Sequence, residues 1–320
     1  MEAYKDLEHK FGNWCGISQQ NVVACASGSA ALHLAIESLD LAPGKILIPE
    51  FTMISCARAA TLTGVIPEFV DCNDRCLLDL RRITPNSTHT AIMPVHIYGR
   101  RCDMDAVVIC AKQQGLTIVE DMAEIHGVQP HPETDAACWS FYRNKIIHGE
   151  EGGIVAFKNS EHAARARELR SCGFTDAHNF LHRPRGMNYR MSNLHASAIL
   201  ESLAEVETNL TARRIIEGWY NQDIPNEWRM PPRDVCWVYD LRIPGMTEKT
   251  QDRVVRLLND AEIPVRHAFK PMSRQPEYLG KYKHLNAHRL SQEVVYFPVN
   301  PQTDTKEQIK RYIGALQEIL

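Results

Sequence analysis

Short apolar segments alternate with helical patterns from residue 22 to about residue 158, and this alternation limits the folds open to the chain. Seven of these segments are predicted strands: 22–26, 46–49, 65–71, 91–95, 117–120, 136–141 and 154–158. Four predicted helices lie between or after them: 29–39, 52–62, 103–114 and 161–171. Such alternation indicates a mostly parallel sheet with helices on both faces, and therefore an α/β fold.

The remaining sequence predicts a loop rich in Arg, His and Asn at 178–190, then one long helix over 192–220. A smaller α+β unit is predicted to follow, with strands at 235–243 and 294–297 and helices at 249–261 and from 305 to the end. Pro231-Pro232 marks the expected boundary region. We predict a large domain over 1–220 and a small C-terminal domain over 221–320.

Charge and composition exclude several classes of function. A net charge of −3 gives no overall excess of positive charge for binding nucleic acid or an anionic membrane. No apolar run is long enough to cross a bilayer. The first residues lack the apolar core of a signal peptide. The ten cysteines form no Cys-x-x-Cys pair, and the histidines show no metal-ligand spacing. We expect a cytoplasmic protein with reduced thiols and no metal site.

Lys145 lies in the stretch WSFYRNKIIHGEEGG, residues 139–153, between the end of one predicted strand and Gly152-Gly153, which open the next. A lysine at a strand tip, near glycines that let a ligand approach the backbone, suits covalent chemistry with an aldehyde cofactor. A solvated loop lysine is the ordinary alternative for a lysine taken alone. The neighbouring motifs favour covalent chemistry at Lys145 over a solvated loop lysine.

Two further strand ends carry polar residues, and ligand sites in α/β sheets gather at the carboxyl ends of strands. Ser27-Gly28-Ser29 begins a helix, where free N–H groups favour an anion; a simple serine cap is the alternative. Asp121 ends an apolar strand, and a buried carboxylate there needs a cation such as a protonated pyridine nitrogen. A helix-capping aspartate is the alternative at this position.

Two more motifs follow the same order along the chain. MPVHIYGR, residues 93–100, delivers His96 and Tyr98 at another strand end, and GMNYRMSNLHASAIL, residues 186–200, carries Asn188 and Arg190. A histidine packed in the core and an arginine paired on the surface are the structural alternatives.

Taken in order, SGSAAL, PVHIYG, EDMAEIHG, SFYRNK with GEEGG, and NYRMS resemble the DegT/DnrJ/EryC1/StrS family of pyridoxal-phosphate (PLP) sugar aminotransferases. The segment 263–278 is similar to that of perosamine-synthase-type members. The resemblance covers almost the whole chain. It implies an aspartate-aminotransferase-like architecture (PLP fold type I), with a mostly parallel seven-stranded sheet in the large domain and a smaller C-terminal α+β domain.

The resemblance also implies roles for particular residues. Lys145 would bind the cofactor covalently and later move a proton, and Asp121 would pair with the pyridine nitrogen. Asn188 would reach the cofactor phosphate of a partner subunit, so that a homodimer shares its active sites. Three residues would hold the phosphate within one chain: Gly28, Ser29 and Ser140.

The implied reaction moves an amino group from L-glutamate to a keto sugar linked to a nucleotide. Substrate contacts are expected from four residues: His96, Tyr98, Arg190 and Arg266. Recognition of a diphosphate needs positive charge, which a wider set could supply, although ordinary surface charge is equally compatible. That set is His182, Arg183, Arg185, Arg190, Arg266 and Lys270.

The chain departs from the family pattern at several positions. Met53 replaces an aromatic residue expected to stack on the cofactor ring, Glu124 replaces a glutamine expected near its phenolic oxygen, and Glu150 replaces a glycine. An ionised Glu124 would repel that oxygen, so we expect it to be protonated or turned away. Only about two dozen residues precede the SGS motif, so we expect part of the substrate or dimer surface to differ.

Lys145 favours transamination, because the dehydratase branch of the family has histidine there. Two alternatives remain: a non-catalytic or regulatory PLP-binding homologue of the same fold, and a PLP-dependent lyase. The chain carries no appended helix-turn-helix or basic arm, which weakens the case for a DNA regulator.

Overall fold

A computed structural model describes residues 2–174, 180–280 and 284–320. Residues 178 and 179 of the predicted Arg-rich loop therefore lie outside the described residues. Ten strands are present among these residues: β1 Val22–Cys25, β2 Lys45–Pro49, β3 Ile66–Val70, β4 His89–Ile92, β5 Thr117–Asp121, β6 Ala136–Ser140, β7 Gly153–Phe157, β8 Val238–Arg242, β9 Arg266–His267 and β10 Val294–Pro298. The same part of the chain contains ten α-helices: α1 Ala3–Cys15, α2 Gly28–Ser38, α3 Ile54–Thr63, α4 Met104–Gln114, α5 Ser160–Arg170, α6 Asn193–Ala204, α7 Val206–Asp223, α8 Glu248–Asp260, α9 Leu285–Glu293 and α10 Lys306–Ile319.

The large sheet has seven strands in the order β1-β7-β6-β5-β4-β2-β3. Strand β7 runs antiparallel to both of its neighbours, and the other neighbouring pairs are parallel. Strands β1, β6 and β7 are buried almost throughout, as a sheet covered on both faces requires. The predicted mostly parallel sheet of seven strands is confirmed.

The prediction of one long helix over 192–220 is wrong. The structure has two helices there, α6 and α7, which meet at Glu205. Glu205 has a ψ of 7°, outside the helical range, so the regular helix is interrupted there. Helix α6 packs on α1, whereas the later turns of α7 enter a second apolar core through Ile216 and Tyr220. The two helices therefore serve different packing surfaces.

Helix α1 was not predicted, although its signal is present in the sequence. Leu7, Phe11 and Cys15 recur every four residues, and all three are buried. The Phe11 and Trp139 rings form a T-shaped contact with a centroid distance of 5.1 Å, which packs α1 beside the strand that leads to Lys145. The short strand β9 and helix α9 were also missed.

A second sheet of three antiparallel strands, in the order β8-β10-β9, forms from the C-terminal part of the chain. It shares an apolar core with α8 and α10 through Leu241, Leu258, Phe297 and Ile313. The proposed division into domains 1–220 and 221–320 stays a prediction. No helix in the described part of the chain combines the length and the apolar character that a membrane span requires.

A buried ion network connects the two sheets. Arg100 lies in the loop after β4. Its two terminal guanidinium nitrogens donate hydrogen bonds to the Asp240 carboxylate on β8 at 2.7 and 2.9 Å. Arg233 adds a third bond at 2.8 Å. Burial raises the pKa of Asp240, but the two guanidinium groups outweigh it and hold this pKa below its usual value. The C-terminal sheet is therefore anchored against the loop that follows β4.

Candidate active site

A cavity of about 400 Å³ lies where β5 and β6 end, at the carboxyl edge of the large sheet. Polar groups from several strand ends meet there because parallel strands direct their following loops to the same edge. Seven of the predicted site residues line it: Gly28, Ser29, Met53, Asp121, Glu124, Ser140 and Lys145. The structure thus brings most of the predicted cofactor site together.

Lys145 lies in the turn between β6 and β7. Its amide donates to the carbonyl of Tyr142 at 2.8 Å, and the turn closes where Gly149 donates to the Phe141 carbonyl at 2.9 Å. The Lys145 side chain is only 11% exposed, and its Nζ lies 3.9 Å from Oε1 of Glu124. Burial lowers the pKa of Lys145, although the nearby carboxylates of Glu124 and Asp121 oppose the shift. A lysine with a lowered pKa is a better nucleophile and base near neutral pH.

Glu124 is a buried carboxyl group on the cavity wall. Its Oε2 accepts a hydrogen bond from the amide of Tyr98 at 2.7 Å, which leaves Oε1 to face Lys145. Burial raises the pKa of Glu124 to about 7, and Lys145 limits the rise. The Glu124 side chain faces Lys145 and is not turned away, and its raised pKa allows the protonated form that we expected. Near neutral pH the group can give or take a proton.

Asp121 ends β5 and has donors on both oxygens. Oδ1 accepts from the amide of Ala123 at 2.9 Å, and Oδ2 accepts from the thiol of Cys56 at 3.2 Å. Burial raises the pKa of Cys56 well above its usual value, so the thiol keeps its proton and acts as the donor. Because each carboxylate oxygen accepts more than one hydrogen bond, Asp121 can still pair with a cation in the cavity.

An anion cradle, formed by Gly28, Ser29, Ser55 and Ser140, lies at the start of α2. The Ser27 side chain caps the amide of Ala30 at 3.1 Å, and the hydroxyls of Ser29 and Ser55 lie 3.0 Å apart. A Cβ added to Gly28 would lie 2.6 Å from the Cβ of Ser140, so only glycine fits there. Free helix N–H groups beside three hydroxyls suit a phosphate.

His96 and Tyr98, expected to contact substrate, lie in the core and not on the cavity wall. His96 is wholly buried; its Nδ1 accepts from the amide of Cys102 at 3.1 Å, and its Nε2 faces Glu120 at 2.9 Å. Tyr98 is also wholly buried, and its hydroxyl accepts from the amide of Phe269 at 3.3 Å. The polar atoms of both side chains are occupied by protein partners, which gives these residues structural roles.

Asn188 and Arg190 do not line the cavity around Lys145 either. Both are exposed, and they line a second cavity of about 450 Å³ together with Tyr4 and Arg170. Arg266 is exposed on β9, in register with Tyr296, a residue of the main cavity wall. The structure therefore places Arg266 beside the main cavity and the other two elsewhere on this chain.

The cations expected to recognise a diphosphate differ in their availability. Arg183 pairs with Glu168, Arg185 with Glu37, and Lys270 with Glu248. Arg190 and Arg266 have no ion-pair partner among residues 2–174, 180–280 and 284–320. These two cations are the better placed for an anionic ligand, since they need not break an existing pair.

The departures from the family pattern fall at distinct places. Met53 lines the cavity and is 51% exposed, which leaves room for a flat ring to pack on it. Glu150 has a φ of +67°, in the left-handed region that favours glycine. That backbone conformation accounts for the family's glycine at this position, and the side chain of Glu150 is itself exposed.

Several cavity residues carried no usable signal in the sequence. Ser55 lies in the first turn of α3, and Trp237, Phe269 and Tyr296 come from the C-terminal part of the chain. Of these residues, only Phe269 lies in a segment that resembles the family, 263–278, and the resemblance assigned it no role. Trp237 reaches the cavity only because the second sheet packs against the first.

Comparison with known proteins places the chain among aminotransferases. The sequence model described as the DegT/DnrJ/EryC1/StrS aminotransferase family matches residues 2–317. A GDP-perosamine synthase of Caulobacter vibrioides is 33% identical over 98% of this chain and 89% of the relative. The GDP-perosamine synthase of Escherichia coli O157:H7 is 29% identical over 95% and 86%.

The fold has a close counterpart in a crystal structure, that of the aminotransferase TlmJ from Streptoalloteichus hindustanus. The two superpose with a TM-score of 0.90 over 99% of this chain and 90% of that one, at 22% identity. The expected aminotransferase fold is confirmed.

Proposed function

Because the chain belongs to the DegT/DnrJ/EryC1/StrS aminotransferase family, we propose that it transfers an amino group from L-glutamate to a nucleotide-linked keto sugar, with PLP as cofactor. One observation carries the proposal: a single cavity unites Lys145, Asp121 and the anion cradle. These groups supply the amine, the carboxylate and the phosphate site that such a reaction needs. The product would serve amino-sugar biosynthesis, and we place the reaction in the cytoplasm, where free thiols such as these ten stay reduced.

The residues present fit PLP. The anion cradle would hold its phosphate, and the Asp121 carboxylate would hold the proton of its ring nitrogen. Met53 would pack against the ring, and Glu124 would lie near its phenolic oxygen. When bound, the cofactor supplies an aldehyde carbon that bonds to a primary amine and a ring that withdraws electrons from that carbon.

The protein groups move and hold protons around that chemistry. Lys145, with its lowered pKa, would take the proton from the substrate carbon that carries the nitrogen and deliver it to the former aldehyde carbon of the cofactor. Glu124 lies 3.9 Å from the lysine and, with a pKa of about 7, can hold the proton that Lys145 releases. Burial of both side chains keeps water from competing for these protons.

A sugar nucleotide is supported as the acceptor by the relatives and by the charges near the cavity. Two relatives matched over almost the whole chain are GDP-perosamine synthases, enzymes named for a nucleotide-linked amino sugar. Arg266 lies beside the cavity wall and can pair with a diphosphate. Its planar guanidinium can form two parallel bonds to phosphate oxygens, which a lysine cannot.

The proposal is tested by the visible absorption of the protein with bound PLP. We expect L-glutamate to bleach the visible band of the cofactor–lysine link, and a nucleotide-linked keto sugar to restore it. D-glutamate and the Lys145→Ala variant serve as controls that should show no such cycle. A band that ignores every amino donor would favour a non-catalytic homologue, and repeated release of keto acid with free ammonia, without an aminated sugar, would favour a lyase.

We further propose a homodimer with shared sites, in which Asn188 acts on the cofactor phosphate of the partner subunit. Asn188 is exposed and lies outside the cavity of its own chain, so a partner is needed for it to reach a cofactor. A two-fold dimer then forms two equivalent sites. PLP would stabilise the dimer because it binds the assembled state better than separate chains.

Subunit mixing tests the shared site. When Lys145→Ala and Asn188→Ala chains exchange subunits, each hybrid dimer should gain one intact site, and random mixing should restore about a quarter of wild-type activity. The Asn188→Ala variant alone should be clearly impaired. Mixing Lys145→Ala with Asp121→Ala is the matched control, since both residues line the cavity of one chain and no intact site can form. No recovery in the first mixture, or an active monomer, would contradict the proposal.

A further inference from the structure

Trp237 lies directly before β8, in the C-terminal part of the chain, yet its ring faces the candidate catalytic lysine. The Lys145 Nζ lies 3.7 Å from the centroid of the Trp237 ring. Trp237 is 4% exposed, so the contact is largely removed from water. Lys145 is thus held between a carboxyl group, that of Glu124, and an aromatic face.

Hydrogen bonds hold Trp237 at its ring nitrogen and at its backbone carbonyl, and its ring also stacks on that of Tyr98. Its Nε1–H donates to the carbonyl of Asn144 at 2.7 Å, which ties the ring to the residue before Lys145. The Trp237 carbonyl accepts from Arg213 at 2.7 Å, and the ring stacks on Tyr98 at a centroid distance of 6.5 Å. A ring held in this way presents a constant face to the lysine.

An aromatic face attracts an ammonium group and not a neutral amine. The ring therefore favours protonation of Lys145, whereas the burial that the same ring causes opposes it. Three other groups act on the charge of Lys145: the carboxylates of Glu124 and Asp121, which favour the ammonium form, and the nearby thiol of Cys56. His126 is another titratable neighbour, since the charge of Lys145 helps to lower its pKa; Tyr142, Glu151 and Tyr296 also line the cavity.

We propose that Trp237 is a positioning residue, whose ring holds the protonated amine of Lys145 aimed into the cavity beside Glu124. The ring no longer attracts the amine once the amine loses its proton, since the interaction needs the positive charge. The C-terminal sheet thereby sets the proton affinity of a lysine that belongs to the large sheet. The inference rests on the proposed function only in taking Lys145 as the reacting amine.

The test measures the proton affinity of Lys145 in the full chain without cofactor. Trace acetylation with acetic anhydride over a pH series, followed by mass spectrometry of the peptide that contains Lys145, gives the pH at which the amine becomes reactive. Trp237→Met removes the aromatic face but keeps an apolar side chain. We expect this midpoint to fall by about one pH unit, and Trp237→Phe to retain most of the wild-type value.

The sign of the shift separates the two possible roles of the ring. If Trp237 only excludes water, its removal should hydrate Lys145 and raise the midpoint, and a rise or no shift would overturn the proposal. Phe269→Met is the matched control, since it removes another ring from the cavity wall and should leave the midpoint unchanged. The same shift in Phe269→Met as in Trp237→Met would also count against a specific role.

A second measurement keeps the side-chain volume of Trp237, in case the Trp237→Met variant does not fold. Site-specific replacement of Trp237 by fluorinated tryptophan keeps the ring shape and weakens its negative face, so the midpoint should again fall. An unchanged midpoint in folded, fluorinated protein would overturn the proposal. Failure of the proposed function is a separate result, because L-glutamate would then fail to bleach the cofactor band of the wild type, whatever the acetylation midpoint.

Discussion

Lys145→Ala is expected to lower transamination by at least about three orders of magnitude, because it removes both the nucleophile and the proton-transfer base. Lys145 is the amine that lines the cavity with Asp121 and the anion cradle, and its lowered pKa suits both tasks. Single-turnover rates with L-glutamate measure the loss. Borohydride treatment of the wild type with PLP should attach the pyridoxyl group to one peptide, which contains Lys145.

Lys112→Ala is the matched control for this prediction. Lys112 is exposed, pairs with Glu133, and is not among the residues that line the cavity, so its removal should leave the rate unchanged. Thermal unfolding should show that both variants remain folded. Attachment of the pyridoxyl group to another lysine, or substantial turnover by Lys145→Ala, would overturn the assignment of the catalytic amine.

Asp121→Asn is expected to slow proton abstraction by roughly 10- to 150-fold, with a much smaller effect on cofactor affinity. The range corresponds to the loss of a charge-assisted hydrogen bond of about 1.5–3 kcal/mol. Asparagine keeps an oxygen for the amide of Ala123 but has no charge to hold a proton on a ring nitrogen. Rapid-mixing kinetics with α-deuterated glutamate isolate the proton-abstraction step.

Asp105→Asn is the control for the loss of a carboxylate as such. Asp105 is exposed and pairs with His131, and the described lining of the cavity does not include it. This variant should react at the wild-type rate. Near-wild-type proton abstraction by Asp121→Asn, or equal loss in cofactor affinity and rate, would reject the role given to Asp121.

The catalytic groups could be predicted because their signals are local. Strand ends, glycines and a helix start indicate Gly28, Asp121 and Lys145, and the family resemblance adds Ser140; parallel strand topology brings such positions to one edge. The structure places all four on one cavity. Their roles in catalysis stay predictions until the variants above are measured.

Whether a side chain is buried was harder to predict than whether its residue follows a strand end. His96 and Tyr98 follow a strand end as the site residues do, yet both side chains point into the core and bond to protein partners. A strand end directs the chain toward the site edge, but the packing of the following loop decides which side chains reach it. Ion pairing of Arg183, Arg185 and Lys270 was equally invisible, because each partner is distant in sequence or set by the fold.

The sequence by itself determined the strand–helix alternation, the strands of the large sheet, and the residues at their carboxyl ends, since all of these depend on neighbours a few positions away. Only the tertiary structure decided where α6 and α7 separate and which cations are already paired. It also decided that Trp237 meets Lys145, although 92 positions separate them along the chain. That contact needs the second sheet to pack against the first, and the long-range packing of two sheets leaves no periodic pattern in the sequence.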